Sequence, residues 1–398
     1  MHSTYSRMFR KDAHRVAAIY GFLLLGILLS WRLHARPESD EHSPQWVAAL
    51  SFGGDGSDSG FAVKVDRDGN RYVTGSFSGT ASFPTMFQTR ADRRPRTAAA
   101  TTTLTSAGGS DAFLAKYDRD GKLRWAIQAG GPEDDSGFGM DFDAEGNIYL
   151  TGSFSDYATF HGINSNDITV SGLSLTTFLA KYTSSGALEW VQSGSAADLI
   201  PGENHGFGVA VEPASGSVFL TGMGQLDLAF SSSDGSSTVV PGGGFWHMVL
   251  VKYNAAGKFQ WGETNAATIN SISYRVAVDP EANVYVIGWM EGDTTFNSSD
   301  FHAQTVSAFS GPIQVPPDFP DHAFVAKYDS NGVVKWVNHL GGYKATATDV
   351  ALSPDGEVSI TGFIGNVDSP GQDSTIVTSQ PGAQQHQPGR WTIHQPIQ

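Results

Sequence analysis

One interval constrains this chain more than any other feature. The spacing Lys-Tyr-x-x-x-Gly-x-x-x-Trp occurs four times without change: AFLAKYDRDGKLRW (112–125), TFLAKYTSSGALEW (177–190), HMVLVKYNAAGKFQW (247–261) and AFVAKYDSNGVVKW (323–336). A second pattern alternates with it: an apolar run, an acid, a turn glycine, another apolar run, then Thr-Gly. Its copies are FAVKVDRDGNRYVTG (61–75), FGMDFDAEGNIYLTG (138–152), FGVAVEPASGSVFLTG (207–222), YRVAVDPEANVYVIG (274–288) and TDVALSPDGEVSITG (348–362). The third copy carries one extra residue in its turn, where insertions are tolerated. Recurrence at fixed intervals marks an architecture made by stacking one supersecondary unit on the next.

Each pattern reads as a β-hairpin. Short runs of Val, Phe, Tyr, Ile and Leu flank Asp-x-x-Gly turns at Asp66–Gly69, Asp118–Gly121, Asp143–Gly146 and Asp329–Gly332. Glycine supplies positive φ there, and aspartate bonds the nearby backbone. Phe113-Leu114-Ala115 and Phe324-Val325-Ala326 are apolar at consecutive positions, so such strands are covered on both faces. Two hairpins give four strands per repeat. An antiparallel four-stranded sheet that must hide both faces predicts an all-β β-propeller, in which neighbouring blades sandwich one another. Trp125, Trp190, Trp261 and Trp336 are then inter-blade packing residues.

These units, DAFLAKYDRDGKLRW followed by GFGMDFDAEGNIYLTGSFS, resemble the bacterial β-propeller repeat of the SBBP type. The resemblance covers residues 46–365 and implies an exported or cell-surface propeller with no inherited catalytic residues. The expected architecture is about five four-stranded antiparallel blades, preceded by an N-terminal signal or anchor helix. The pattern opens on a lone strand of the Lys-Tyr…Trp kind, Trp46-Val47-Ala48-Ala49-Leu50, able to complete the last blade from the opposite terminus. It stops after Thr361-Gly362, so the last blade is expected to be incomplete, with 366–398 an irregular tail. Residues 375–379 (TIVTS) echo 102–106 (TTLTS), and five-bladed and broken larger rings both fit. The connections 76–111, 153–176, 223–246 and 289–322 contain short elements at Ala81-Ser82-Phe83, Ala158-Thr159-Phe160, Leu228-Ala229-Phe230 and Thr294-Thr295-Phe296. These are expected to add edge hairpins and to carry function.

The N-terminus reads as an address. Arg7, Arg10, Lys11 and Arg15 precede an apolar run from Val16 to Trp31. That length lies between a signal-peptide core and the ~20 residues of a membrane span, so residues 1–35 are expected to be a cleaved signal or a retained anchor. Either places the remainder across the membrane, in a periplasmic, cell-surface or secreted location. Composition narrows the chemistry. There is no cysteine, which excludes disulfides, thiolate metal sites and cysteine nucleophiles. With 25 basic against 40 acidic residues, nucleic acid is a poor partner. The dense basic run Arg90–Arg96 (RADRRPR) reads as a solvated loop or a dock for an anionic polymer.

No catalytic constellation breaks the repeat. Asp66–Asn70 resembles the start of a calcium loop, but Phe77 stands at the twelfth position, so a hairpin turn is expected. Asp55 and Asp58, and Glu133, Asp134 and Asp135, recur at matching places and could hold calcium; otherwise no cofactor is implied. His247 and His322 share one repeat position and are expected to make surface or inter-blade hydrogen bonds rather than a zinc site. Gly194-Ser195 and Gly216-Ser217 lack the strand–turn–helix of a nucleophile elbow, and Gly242-Gly243-Gly244 lacks the helix of a phosphate cradle. The expected function is a non-enzymatic extracytoplasmic scaffold for a surface glycan, peptide or protein, with the membrane touched only through the N-terminal segment. The alternative is a propeller hydrolase or lyase acting on extracellular polysaccharide.

Overall fold

The turns of the 61–75 pattern are closed by their acids. Asp66 Oδ1 accepts the backbone N–H of Asp68 (3.0 Å) and of Asn70 (2.9 Å), and Gly69 completes the reversal at φ +82°. Asp143 with Asn147, and Asp279 with Asn283, repeat the arrangement. A side chain that bonds its own backbone a few residues on forms the turn without tertiary help. The computed structural model describes residues 51–85, 99–198, 200–243, 246–307, 321–340, 343–353, 356–365, 374–379 and 391–394; among them there is no helix. They belong to the compact unit Ala48–Gln398. The expected leader or anchor at 1–35, the strand Trp46–Leu50 and the basic run Arg90–Arg96 lie outside the described residues. Among the described residues no helix is long and apolar enough to cross a membrane.

Five antiparallel sheets follow one another in chain order. The first is built on Asp58–Val65, Arg71–Thr85, Ala99–Tyr117 and Leu123–Gly130, and the second on Ser136–Phe142, Ile148–Phe154, Thr176–Tyr182 and Leu188–Ala196. His205–Val211, Val218–Gly224, His247–Tyr253 and Phe259–Ala267 make the third. Ser271–Val278, Val284–Glu291, Asp321–Tyr328 and Val334–Leu340 make the fourth, and Tyr343–Leu352, Val358–Gly365, Ser374–Ser379 and Trp391–His394 the fifth.

Two expectations are corrected. The sheets are not uniformly four-stranded, because three connector hairpins cross back onto the sheet before their own. Tyr157–Phe160 and Ile168–Ser171 extend the first sheet at Leu123–Gly130, through Ala129↔Phe160 and Gly130↔Thr159. Leu228–Ser231 with Ser237–Val240, and Thr294–Phe296 with Gln304–Val306, do the same for the second and third. The described sheets therefore hold seven, six, six, four and four strands. The fifth sheet is also not short of strands. Ser374–Ser379 and Trp391–His394, in the segment expected to be irregular, fill its third and fourth places. Ladders are made by main-chain groups, so a strand can keep its place after the Lys-Tyr chemistry has gone. Residues 375–379 thus sit in the third-strand slot, with Thr375 opposite Gly362, and not in the connector slot that their echo suggested.

The first strands of successive sheets pack one on the next in chain order. Every one of them is bulged at a matching place, Phe61, Phe138, Phe207, Tyr274 and Thr348, and the fifth has a second bulge at Lys344. The glycine before the matching bulge allows close approach. A Cβ on Gly137 would collide with Thr74 Oγ1, and one on Gly206 with Thr151 Oγ1. Thr74 donates to Phe113 O and Thr151 to Phe178 O, both at 2.7 Å. The recurrent Thr-Gly is therefore a seam in which a hydroxyl ties two strands of one sheet and the next sheet's glycine lies on it. In the fourth sheet Ser273 replaces the glycine, and its hydroxyl lies 2.6 Å from that of Thr221.

Candidate functional site

The fixed Lys…Gly…Trp spacing is a lock between sheets. Lys116 stands between Tyr72 and Trp125 in the cross-strand register of the first sheet. Its ammonium lies 5.0 Å from the Tyr72 ring centre and donates to Ser184 O, in the second sheet's turn, at 2.8 Å. Trp125 covers the same turn: a Cβ on Gly186, held at φ +91°, would lie 3.0 Å from the indole. Lys181 and Trp190 grip Ala255 O and Gly257; Lys252 and Trp261 grip Ser330 O and Gly332. The Trp261 indole N–H also donates to Ser330 O, at 3.1 Å. A connector hairpin closes each grip. The N–H of Ile163, Ser233 and Ser299 donate to the carbonyls of Gly186, Gly257 and Gly332 at 2.9, 3.0 and 3.1 Å. Behind the lysine, the hydroxyls of Tyr72, Tyr149 and Tyr285 donate to Asp66, Asp143 and Asp279. Burial pushes Lys116 and Lys252 below the usual lysine range. These cations serve packing: each spans an aromatic face and a carbonyl of the neighbouring sheet.

The acids weighed for calcium act as loop staples. Asp135, almost fully buried, accepts Gly131 N–H at 2.7 Å and Ser155 N–H at 3.1 Å. Asp58 accepts Gly54 N–H, and Asp134 accepts Ser110 N–H, both at 2.9 Å. Asp55 and Glu133 are exposed. Burial pushes the Asp135 carboxyl up to about 7, with Asp111 adding to it, and burial alone drives Asp111 up to about 6. Neither was marked as a perturbed group by spacing, because that perturbation comes from tertiary burial. Asp66–Asn70 is a hairpin turn, as expected. Gly194-Ser195 lies in a ladder with Ala229 and Phe230, Gly216 occupies a turn at φ +67°, and Gly242 N–H donates to Asp227. Gly244 lies outside the described residues.

Three groups of side chains escaped the sequence reading. The bulged aromatics form a ladder across consecutive first strands: Phe61–Phe138, Phe138–Phe207 and Phe207–Tyr274, at 5.1, 5.4 and 5.5 Å between ring centres. An aromatic at the head of four copies of the second pattern was the available signal. His205 stacks on Phe207 at 5.2 Å, and burial lowers its pKa to about 4. Tyr157, Leu173 and Ile200 are exposed on connectors tied together by Gly172 N–H to Asp156 O, Ser174 Oγ to Gly202 O and Asn204 N–H to Leu175 O. Phe301, 96% exposed and held at φ +63°, projects from a turn pinned by Asp300. The third group is a histidine pair. His322 and His339 meet at 3.1 Å between their Nδ1 atoms, and the second was not foreseen.

Residues 124–153 match the SBBP family, described as a beta-propeller repeat. The matched stretch runs from Leu123–Gly130 of the first sheet to Ile148–Phe154 of the second, and includes Trp125 of the first lock. Over 124 residues the chain is 31% identical to an uncharacterized WD repeat-containing protein of Acanthamoeba polyphaga mimivirus. That stretch is 31% of this chain and spans about 9% of the viral protein's length.

Proposed function

We propose that this chain, which carries an SBBP β-propeller repeat, is a five-bladed scaffold acting outside the cytoplasm, which binds a protein, peptide or surface glycan through its connectors and catalyses no reaction. The basic flank and apolar run at 7–31 support export, and the five sheets with first strands packed in chain order support the blade count. The observation that carries the binding reading is the exposure of Tyr157, Leu173 and Ile200 on mutually bonded connectors. Large apolar side chains held in water by ordered loops are typical of recognition surfaces. The recurrent polar residues, in contrast, are consumed by turns and locks. The likeness to a WD repeat-containing protein supports an interaction role.

The test is an array of peptides and glycans probed with the full chain and with a Tyr157→Ser, Leu173→Ser, Ile200→Ser variant. Specific binding by the parent, reduced in the variant at unchanged thermal stability, is expected. Equal binding by both proteins, or none by the parent, contradicts the reading. For export, protease added to intact cells is expected to degrade the chain; complete protection contradicts a surface location.

A further inference from the structure

A diagonal cross-strand position, which sets a residue five before the lysine near one three after the tryptophan but two places out of register, recurs in four sheets. It holds Asp111 with Gln128, Thr176 with Ser193, His247 with Thr264, and His322 with His339. In the first sheet the pair is a hydrogen bond, Gln128 Nε2 to Asp111 Oδ2 at 3.4 Å. Among these four places, the fourth sheet alone brings two imidazoles together, breaking the repeat where the other copies need only a polar pair.

We propose that His322 and His339 form a two-imidazole site for a borderline divalent cation of the Zn2+ class. The Nδ1 atoms lie 3.1 Å apart and the rings are tilted by 31°. Two nitrogens bound to one ion at about 2.0–2.1 Å stand about 2.9 Å apart at a right angle and about 3.3 Å apart at the tetrahedral angle. The observed separation falls between these limits, so the pair can chelate without moving its strands. Both side chains are on strands, Asp321–Tyr328 and Val334–Leu340, which hold them more firmly than a loop would. His322 is 7% exposed and His339 half-buried, so the site has a dry side and a wet side. Among the described residues no third His, Cys, Asp or Glu joins them, which leaves the remaining coordination positions to water. Burial and, for His322, the neighbouring imidazole hold both pKa values below the usual histidine range, keeping the rings in the neutral form that binds metal. The N–H···N hydrogen bond that the same pair makes without metal breaks when the ion enters, and the donor ring's proton passes through solvent from Nδ1 to Nε2, so both rings stay neutral and each offers Nδ1 to the ion.

Zinc chloride titrated into the chelator-treated full chain, followed by calorimetry and by the thermal midpoint, tests this. One binding event with a raised midpoint is expected. His339→Gln and His322→Thr copy residues that the first and second sheets already hold at these places, so the fold has precedent for both. Each is expected to lose affinity on the order of tenfold or more. X-ray absorption at the zinc edge of the parent protein is independent of any variant and is expected to show two imidazole neighbours. No zinc binding at millimolar concentration, parental affinity in both variants, or fewer than two imidazoles at the ion would each overturn the proposal and leave the pair as a hydrogen bond only.

Discussion

Ala282 occupies a turn position at which the other four hairpins of the second pattern hold Gly69, Gly146, Gly216 and Gly356, and its φ is +64°. An L-residue with a Cβ costs roughly 1–2 kcal/mol in that region, offset in part by the greater entropy glycine loses on folding. Ala282→Gly is expected to stabilise the chain by about 0.5–1 kcal/mol in urea unfolding; a loss of stability would show that the alanine methyl does something the turn geometry does not reveal. The buried carboxyls make a second residue-scale prediction. Asp111 and Asp135 have folded pKa values raised to about 6 and about 7 from an ordinary 3.8. A raised value means that the folded state binds protons the unfolded state has released. Their contribution is complete below about pH 4 and is lost as pH rises to about 7. His205, lowered to about 4, acts in the opposite sense: its contribution is present above about pH 6.5 and is lost as pH falls through 4. Asp135→Asn is expected to flatten the fall in thermal midpoint between pH 4.5 and 7.5; a profile parallel to the parent's would contradict the assignment.

At the scale of elements, the hairpins were legible because their turns are local. Asp66, Gly69 and Asn70 specify a reversal with atoms no more than four residues apart. The connector strands were legible only as elements. Ala158-Thr159-Phe160 announces a strand, but nothing nearby says that it pairs with Ala129 and Gly130 of the preceding sheet. Main-chain pairing carries no address in the side chains, which is also why Ser374–Ser379 was misplaced. For the candidate sites, the lysines and tryptophans stood out by repetition. His339 did not, because a single histidine three residues after Trp336 gains meaning only beside His322, which lies diagonal to it across the strands. Hydrogen exchange should follow the same logic. The hairpin Tyr157–Phe160 with Ile168–Ser171 touches its sheet at two register pairs, whereas Thr176–Tyr182 is paired along its length on both sides. Amides of the hairpin are expected to exchange faster than those of Thr176–Tyr182. Equal protection would mean that the connectors belong to the same cooperative unit.

For the whole molecule, the first sheet differs from those after it. Val63 and Val65 are 65% and 59% exposed, while Met140, Val209 and Val276, the counterparts of Val63, are 3%, 7% and 7% exposed. Val63→Lys is therefore expected to cost less than about 0.5 kcal/mol and Met140→Lys several times more, in matched unfolding experiments. Equal costs would show that something covers the first sheet in solution. What joins the first four sheets is the grip of Lys116, Lys181 and Lys252, with Trp125, Trp190 and Trp261, on the next sheet's turn, and one double-mutant cycle reads that grip directly. A Cβ on Gly257 would lie 2.9 Å from Trp190 across the junction of the second and third sheets. Gly257→Ala costs backbone strain at φ +75° and also a clash with the indole; Trp190→Ala removes the clash and leaves the strain. The measurement is the cost of Gly257→Ala with and without Trp190. A cost lower by about 0.5 kcal/mol or more when the tryptophan is absent is the predicted result, and additivity within about 0.3 kcal/mol would contradict a lock between the sheets.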